Sequence, residues 1–138
     1  LLFDMGRLIM HVGLPENMVN HIQDLEPSKG RAKAEELVVG FNYAQTGAEM
    51  ARRWQFPLSI CHAVEYHYNP MLAKEFSVEA GLIHLAIALA AQSDVGEVAP
   101  PEWPTQVADR LGLPWSDCAA VLVARREHGN GDAGLLAA

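Results

Sequence analysis

Apolar residues recur at helical spacing along almost the whole chain. In residues 1–10, and again in residues 60–67, they fall at positions i, i+3 and i+4, which places them on one face of an α-helix. Proline or glycine interrupts this pattern at points such as Pro15, Gly40 and Pro57, and no segment shows the alternation of a strand. The sequence therefore predicts an all-α fold, a single-domain bundle of about six to eight helices.

Capping and turn residues set the predicted helix boundaries. Gly40 ends one helix, Asn42 caps the next, and Pro70 stops the one after that. The segment EPSKG, residues 26–30, is predicted to be a turn because it combines proline and glycine. The predicted helices cover residues 1–10, 15–24, 29–39, 43–54, 57–67, 78–92, 105–111 and 117–128.

The helix predicted at residues 78–92 is apolar nearly all round, which predicts a central position in the bundle. Residues 1–128 are expected to form one helical domain, and the glycine-rich residues 129–138 a flexible tail. Cys61 and Cys118 are too few for a disulfide framework and are predicted to be small core residues.

Charge and hydropathy exclude several classes of function. The 138 residues carry a formal net charge of −7, whereas a nucleic-acid-binding surface needs an excess of basic residues. The longest stretch of low polarity, residues 81–91, is shorter than the roughly 20 residues that span a bilayer. No signal-peptide cleavage pattern follows the apolar start. We therefore expect a cytoplasmic protein that binds neither nucleic acid nor a membrane.

Four short segments in this order resemble one family. LLFDMGRL at residues 1–8 is similar to the LLHDIGKL segment of the HD superfamily, metal-dependent phosphohydrolases named for a His-Asp pair. Glu36 followed by GFNYAQTGAEMARRWQFP resembles E…G.DH..VGA.L...W.LP of HDOD domains, the HD-related output domains of bacterial signalling proteins. AVEYHYNP resembles their AI.YHH.P, and LIHLAIALA their..HLAD.LA. The resemblance implies an HD-like helical bundle with further helices before residue 1.

The resemblance also assigns positions in this chain. The positions that would hold the family's metal ions are occupied here by Phe3, Asp4, Tyr43, His67, Tyr68 and Ile87. The positions that would support the family's fold are Gly6, Glu36, Gly47, Trp54, Pro57 and His84. We expect Gly6 to allow a close approach or a tight exit from the first helix, and Gly47 to be a packing glycine.

The substitutions at the metal positions remove donor atoms. Phenylalanine and isoleucine have none, and neutral tyrosine is a poor ligand for Mg²⁺ or Mn²⁺. Asp4 and His67 remain, and a catalytic metal needs at least three protein ligands. We therefore predict no cofactor and a dismantled metal centre whose space is filled by the four replacing side chains. Asp4 is predicted to be satisfied internally, by His67 or by backbone amides at a helix start.

Other candidate residues have two interpretations each. Trp103 and Trp115, beside prolines, are either core anchors or an exposed contact surface. His62 and Tyr66, spaced i, i+4, are either part of a site or a surface pair on the flank of their helix, and we predict the surface pair.

Three functions follow from these alternatives. The first is a non-catalytic regulatory module that contacts receiver, kinase or cyclic di-GMP turnover domains, with a homodimer as a further option. The second is a surviving phosphohydrolase for a cyclic dinucleotide or another nucleotide, with ligands supplied from before Leu1. The third is a sensor that binds a small molecule in the vacated metal cavity. We expect the first, and so no enzyme activity.

Overall fold

The computed structural model describes the backbone of residues 2–137 and the side chains of residues 2–129. Within those residues every regular element is helical, and the eight α-helices confirm the all-α prediction. Two short 3₁₀ turns, Leu2–Asp4 and Pro70–Leu72, accompany them. The helices are α1 (Met5–Gly13), α2 (Glu16–Lys29), α3 (Arg31–Val39), α4 (Tyr43–Arg53), α5 (Leu58–Tyr66), α6 (Val78–Ala90), α7 (Thr105–Leu111) and α8 (Trp115–Ala137).

The chain divides into two compact units, with the boundary between Gly81 and Leu82 inside α6. The first unit contains α1 to α5, and the second contains α7 and α8. The expectation of one helical domain at residues 1–128 stays a prediction.

The turn predicted at residues 26–30 is wrong, because α2 continues through Pro27 to Lys29. A proline near the end of a helix removes one hydrogen bond but does not have to end the helix. The break falls at Gly30, whose φ of 80° is open to glycine and disfavoured for other residues. Its backbone N–H donates to the Glu26 carbonyl, 2.8 Å away, and closes the last turn of α2.

The start of α4 is fixed by a capping box. The Asn42 side chain accepts from the Gln45 backbone N–H at 3.0 Å, and the Gln45 side chain accepts from the Asn42 N–H at 3.0 Å. Two of the N–H groups that a helix start leaves without partners are thereby satisfied. The predicted cap at Asn42 and the predicted stop at Gly40, which has a left-handed φ of 88°, are confirmed.

Two glycines let α1 and α4 cross at close range. A Cβ atom on Gly6 would overlap the Tyr43 carbonyl oxygen and lie 2.9 Å from the Gly47 backbone nitrogen. A Cβ atom on Gly47 would lie 3.3 Å from the Gly6 nitrogen and 3.1 Å from the Val64 side chain on α5. Backbone therefore packs directly on backbone, and this contact sets the position of the 3₁₀ turn before α1.

In the second unit, Trp103 is buried and meets Trp115 edge to face, with ring centroids 4.9 Å apart. The Trp115 indole N–H donates to the Gly96 carbonyl at 3.0 Å. These contacts favour the core-anchor interpretation of the two tryptophans over the exposed surface. Cys118, like Cys61 in the first unit, is buried as predicted, and burial raises the pKa of its thiol.

Two predictions about the later helices are wrong. Val78, Leu82 and Ile87 on α6 are exposed, so that helix is not buried all round. The helix predicted to end at His128 continues to Ala137, because no residue in 129–137 forces a stop once the helix has propagated. The side chains of residues 130–138 lie outside the described residues, and the flexibility of the tail stays a prediction.

None of the helices in the described residues is long and apolar enough to cross a membrane.

Replacing Gly6 by alanine tests the helix crossing. Gly6→Ala should lower the free energy of unfolding by about 2 kcal/mol or more, because the added methyl forces α1 and α4 apart. Gly13→Ala is the matched control in the same helix, since nothing lies within 4 Å of its Cβ position. Its free energy of unfolding should stay unchanged or rise by up to about 1 kcal/mol. Equal effects of the two variants in urea denaturation would contradict the close crossing.

Candidate functional site

Five of the six positions that correspond to metal ligands lie in the first unit, and the rings of Phe3, Tyr43, His67 and Tyr68 pack together there. Phe3 and Asp4 belong to the 3₁₀ turn, Tyr43 is the first residue of α4, and His67 directly follows α5 with Tyr68 next in the chain. His67 is buried, and its ring centroid lies 5.0 Å from that of Phe3. The site is thus a meeting point of the first turn, the start of α4 and the end of α5.

Protein groups occupy both ring nitrogens of His67. Nδ1 lies 2.6 Å from the Val64 carbonyl oxygen, so it carries the proton and donates, since a carbonyl can only accept. In the neutral ring Nε2 is then an acceptor, and the Tyr43 hydroxyl, 3.3 Å away, donates to it. The nitrogen that would bind a metal is therefore engaged by the phenol at position 43.

Aromatic rings surround this histidine. The Tyr43 ring meets it edge-on at 5.5 Å between centroids, and the Tyr68 ring at 6.5 Å. Burial raises the pKa of Tyr43, an effect that the nearby Arg7 opposes, so the phenol keeps its proton as a donor. Burial also raises the pKa of Tyr68. Phe3, Tyr43 and Tyr68 thus pack around His67 with no ionised oxygen to offer a cation.

The predicted internal role of Asp4 is wrong. Its side chain is 49% exposed, and its carboxylate pairs with Arg7 at 3.1 Å. It precedes α1 but makes no side-chain capping bond, since its backbone is already in the helical region at φ −99°. The prediction assumed a buried carboxylate, and an exposed one needs no internal partner because water solvates it.

Ile87 and His84, the two site positions on α6, lie in the second unit. Ile87 is 42% exposed. Its predicted place in the vacated metal centre stays a prediction. His84 is half-buried, and its role as a packing residue of the family stays a prediction.

Glu35, a fully buried carboxylate beside the site, was not among the residues predicted from the sequence. Its Oε1 accepts from Arg31 Nε at 2.6 Å, and its Oε2 accepts from the backbone N–H of Tyr43 at 2.6 Å. A negative charge at the N-terminus of α4 is stabilised by the helix dipole and by the free N–H groups there. The i, i+4 spacing of Arg31 and Glu35 was the only available signal, and it is common on exposed helices.

Of the remaining support positions, Glu36 holds the buried Asn42. The Asn42 side chain donates to Glu36 at 2.8 Å, so neighbouring glutamates secure both the cap residue and the first residue of α4. Trp54 does not pack as the resemblance implied. It follows the last residue of α4 and is 57% exposed, and its ring centroid lies 6.5 Å from that of Phe56. His62 is exposed and meets Tyr66 edge-on at 6.3 Å, which agrees with the predicted surface pair.

These residues do not fit a metal ion. His67 bonds to protein through both nitrogens, and Asp4 is paired with Arg7 at the surface. Across the described part of the chain, no three His, Cys, Asp or Glu side chains are grouped so that they could hold a metal. No reaction step can therefore be derived through a metal at this site.

Comparison with known proteins identifies the family of this chain. The family model of the HDOD domain matches residues 1–70, which is more than half of the 138 residues, and the chain belongs to this family. The family makes it an HD-related signalling output module. The segment at residues 82–90 lies outside the match, so its correspondence to the family stays a prediction. No curated protein and no solved structure matches the chain.

Removing the Glu35 carboxylate tests its place in the site. Glu35→Ala should lower the free energy of unfolding by about 3 kcal/mol, because it leaves the Tyr43 N–H without its partner and Arg31 with only the longer contact to Glu26. Glu49→Ala is the matched control, since Glu49 also pairs with an arginine of its helix, Arg53, at 3.0 Å but is exposed. Glu49→Ala should lower the free energy of unfolding by less than about 1 kcal/mol. Equal losses in chemical denaturation would contradict a buried, structural Glu35.

Proposed function

We propose that this chain is a non-catalytic regulatory module that passes on a signal through contacts with other proteins. One observation carries the proposal: four of the six ligand positions of the family are engaged in hydrogen bonds or ring contacts within the protein. His67 is held by Val64 and Tyr43, and Phe3 packs on its ring. Such a site is stable without a metal ion, because its buried polar atoms already have partners.

Hydrolysis of a phosphate ester in this superfamily depends on metal-activated water. A metal lowers the pKa of the bound water and stabilises charge on the phosphoryl group. Neutral tyrosine and an engaged histidine supply neither effect. The alternative, a phosphohydrolase that obtains its ligands from outside this segment, would require His67 to exchange Tyr43 for a metal.

Transmission by contact fits the way the helices meet. The crossing at Gly6 and Gly47 joins α1 to α4, and Val64 of α5 packs on the same point. A shift of one helix therefore moves the others, which is how packed helices couple surfaces. Trp54, Phe56 and Leu58 expose apolar surface where α4 connects to α5, and aromatic residues are enriched at protein interfaces. We propose that the partners are receiver, kinase or cyclic di-GMP turnover domains in the bacterial cytoplasm.

Metal content and hydrolytic activity test the proposal that the module is not a catalyst. Protein purified without chelator, incubated with Mn²⁺, Fe²⁺ or Mg²⁺ and then desalted should retain far less than one ion per chain. It should not hydrolyse cyclic di-GMP or a generic phosphodiester above the rate of an Asp4→Ala, His67→Ala double variant. Stoichiometric metal that this double variant loses, together with metal-dependent turnover, would establish the phosphohydrolase instead.

Binding measurements test the proposal that the module acts through contacts with other proteins. Receiver, kinase and cyclic di-GMP turnover domains from the same organism are titrated into the protein by calorimetry. At least one should bind, and a Trp54→Ser, Leu58→Ser variant should weaken that binding. Val98→Ser is the control, since Val98 is also exposed but lies in the second unit. Absence of binding to every domain tested would count against transmission by contact.

A further inference from the structure

A groove lined by basic residues lies beside the degenerate metal site. It has a volume of about 400 Å³ and is open to solvent. Four cationic side chains line it, Arg7 of α1, Lys29 at the end of α2, and Arg31 and Lys33 at the start of α3. Two tyrosines, Tyr43 and Tyr68, form part of its wall. In a chain with a net charge of −7, so many cations around one concave surface are unexpected.

The carboxylates that pair with these cations are not among the described residues that line the groove. Arg31 bonds to Glu35 at 2.6 Å and to Glu26 at 3.4 Å, and Lys33 pairs with Glu36 at 3.5 Å. Arg7 pairs with Asp4 at 3.1 Å. The described lining of the groove therefore contains four cationic groups and no carboxylate, although Arg7, Arg31 and Lys33 each have a carboxylate outside the lining within 3.5 Å.

The cations differ in how firmly they are held. The buried Glu35 fixes Arg31 in place, and Arg7 lies over the Tyr43 ring with its guanidinium carbon 4.8 Å from the centroid. Both guanidinium groups are charged at any physiological pH and present several N–H donors. Lys29 forms no ion pair within 4.0 Å in the described residues, and Lys33 is 61% exposed. An incoming anion would meet two preorganised arginines and two adaptable lysines, which reduces the entropic cost of binding.

We propose that this groove binds a small phosphate-bearing molecule with two or more negative charges, such as a nucleoside phosphate. The volume is in the range of small-molecule sites, roughly 300–1,000 Å³. Guanidinium and ammonium groups form charge-assisted hydrogen bonds to phosphate oxygens, and arginine binds them in a fork. The overall negative charge of the chain would repel the distant phosphates of a long polyanion. A compact anion interacts mainly with the residues that line the groove. The inference goes beyond the proposed function and does not depend on it.

Direct titration tests the site with defined probes. Inorganic phosphate, pyrophosphate, AMP and adenosine are titrated into the whole chain by calorimetry at low and at physiological ionic strength. Pyrophosphate and AMP should bind once per chain, more weakly as salt is added, and adenosine should not bind. A single-stranded oligonucleotide that binds more tightly than pyrophosphate would overturn the assignment to a small anion, as would no binding of any phosphate probe.

Charge reversal at the exposed lysines locates the site. Lys29→Glu and Lys33→Glu should each weaken pyrophosphate binding by about tenfold, the equivalent of losing one charge-assisted hydrogen bond. Lys74→Glu is the matched control, since Lys74 is an exposed lysine of the same unit that does not line the groove. Melting temperatures establish that each variant is folded. Two independent groove positions keep the test valid if one variant fails to fold. Equal binding by all three variants would overturn the proposal.

Discussion

The direct contact between Gly6 and the first turn of α4 is the constraint on which the first unit depends. Because neither Gly6 nor Gly47 has a side chain, α1 lies against the Tyr43 carbonyl and the Gly47 nitrogen. That approach brings Phe3 onto the ring of His67 and Arg7 over the ring of Tyr43. The ring cluster around His67 and the basic groove share Tyr43, which lies at this helix crossing.

The interior around that crossing is polar, yet its polar groups are satisfied. His67, Glu35 and Asn42 are all buried. Each has hydrogen-bond partners, and no buried side-chain nitrogen or oxygen in the described residues is left without one. Unsatisfied, such groups would cost about 1–3 kcal/mol each, and more if charged. The cluster around His67 is therefore stable without an ion, since protein groups already satisfy its buried polar atoms.

Local chemistry made much of the first unit predictable. The Asn42 cap and the Gly40 stop depend on residues close in sequence, and so does the apolar face that buries Ala63, Val64 and His67. The wrong or absent predictions involve residues whose structure depends on other parts of the chain or on competing local effects. Pro27 sits near enough to a helix end to be tolerated, and Asp4 faces solvent because Arg7 lies one turn along on the surface. Glu35 looked like an ordinary surface residue, because its burial depends on α4 folding back on α3. No periodicity in the sequence reports that contact.

The state of the His67 imidazole tests the central claim most directly. In protein labelled with ¹⁵N-histidine, NMR reports which ring nitrogen carries the proton and whether an added paramagnetic ion such as Mn²⁺ lies nearby. A ring held by Val64 and Tyr43 should show protonated Nδ1 and unprotonated Nε2, with signals that Mn²⁺ leaves sharp. Selective broadening of the His67 signals by Mn²⁺, or a proton on Nε2, would contradict a site closed by the protein's own groups.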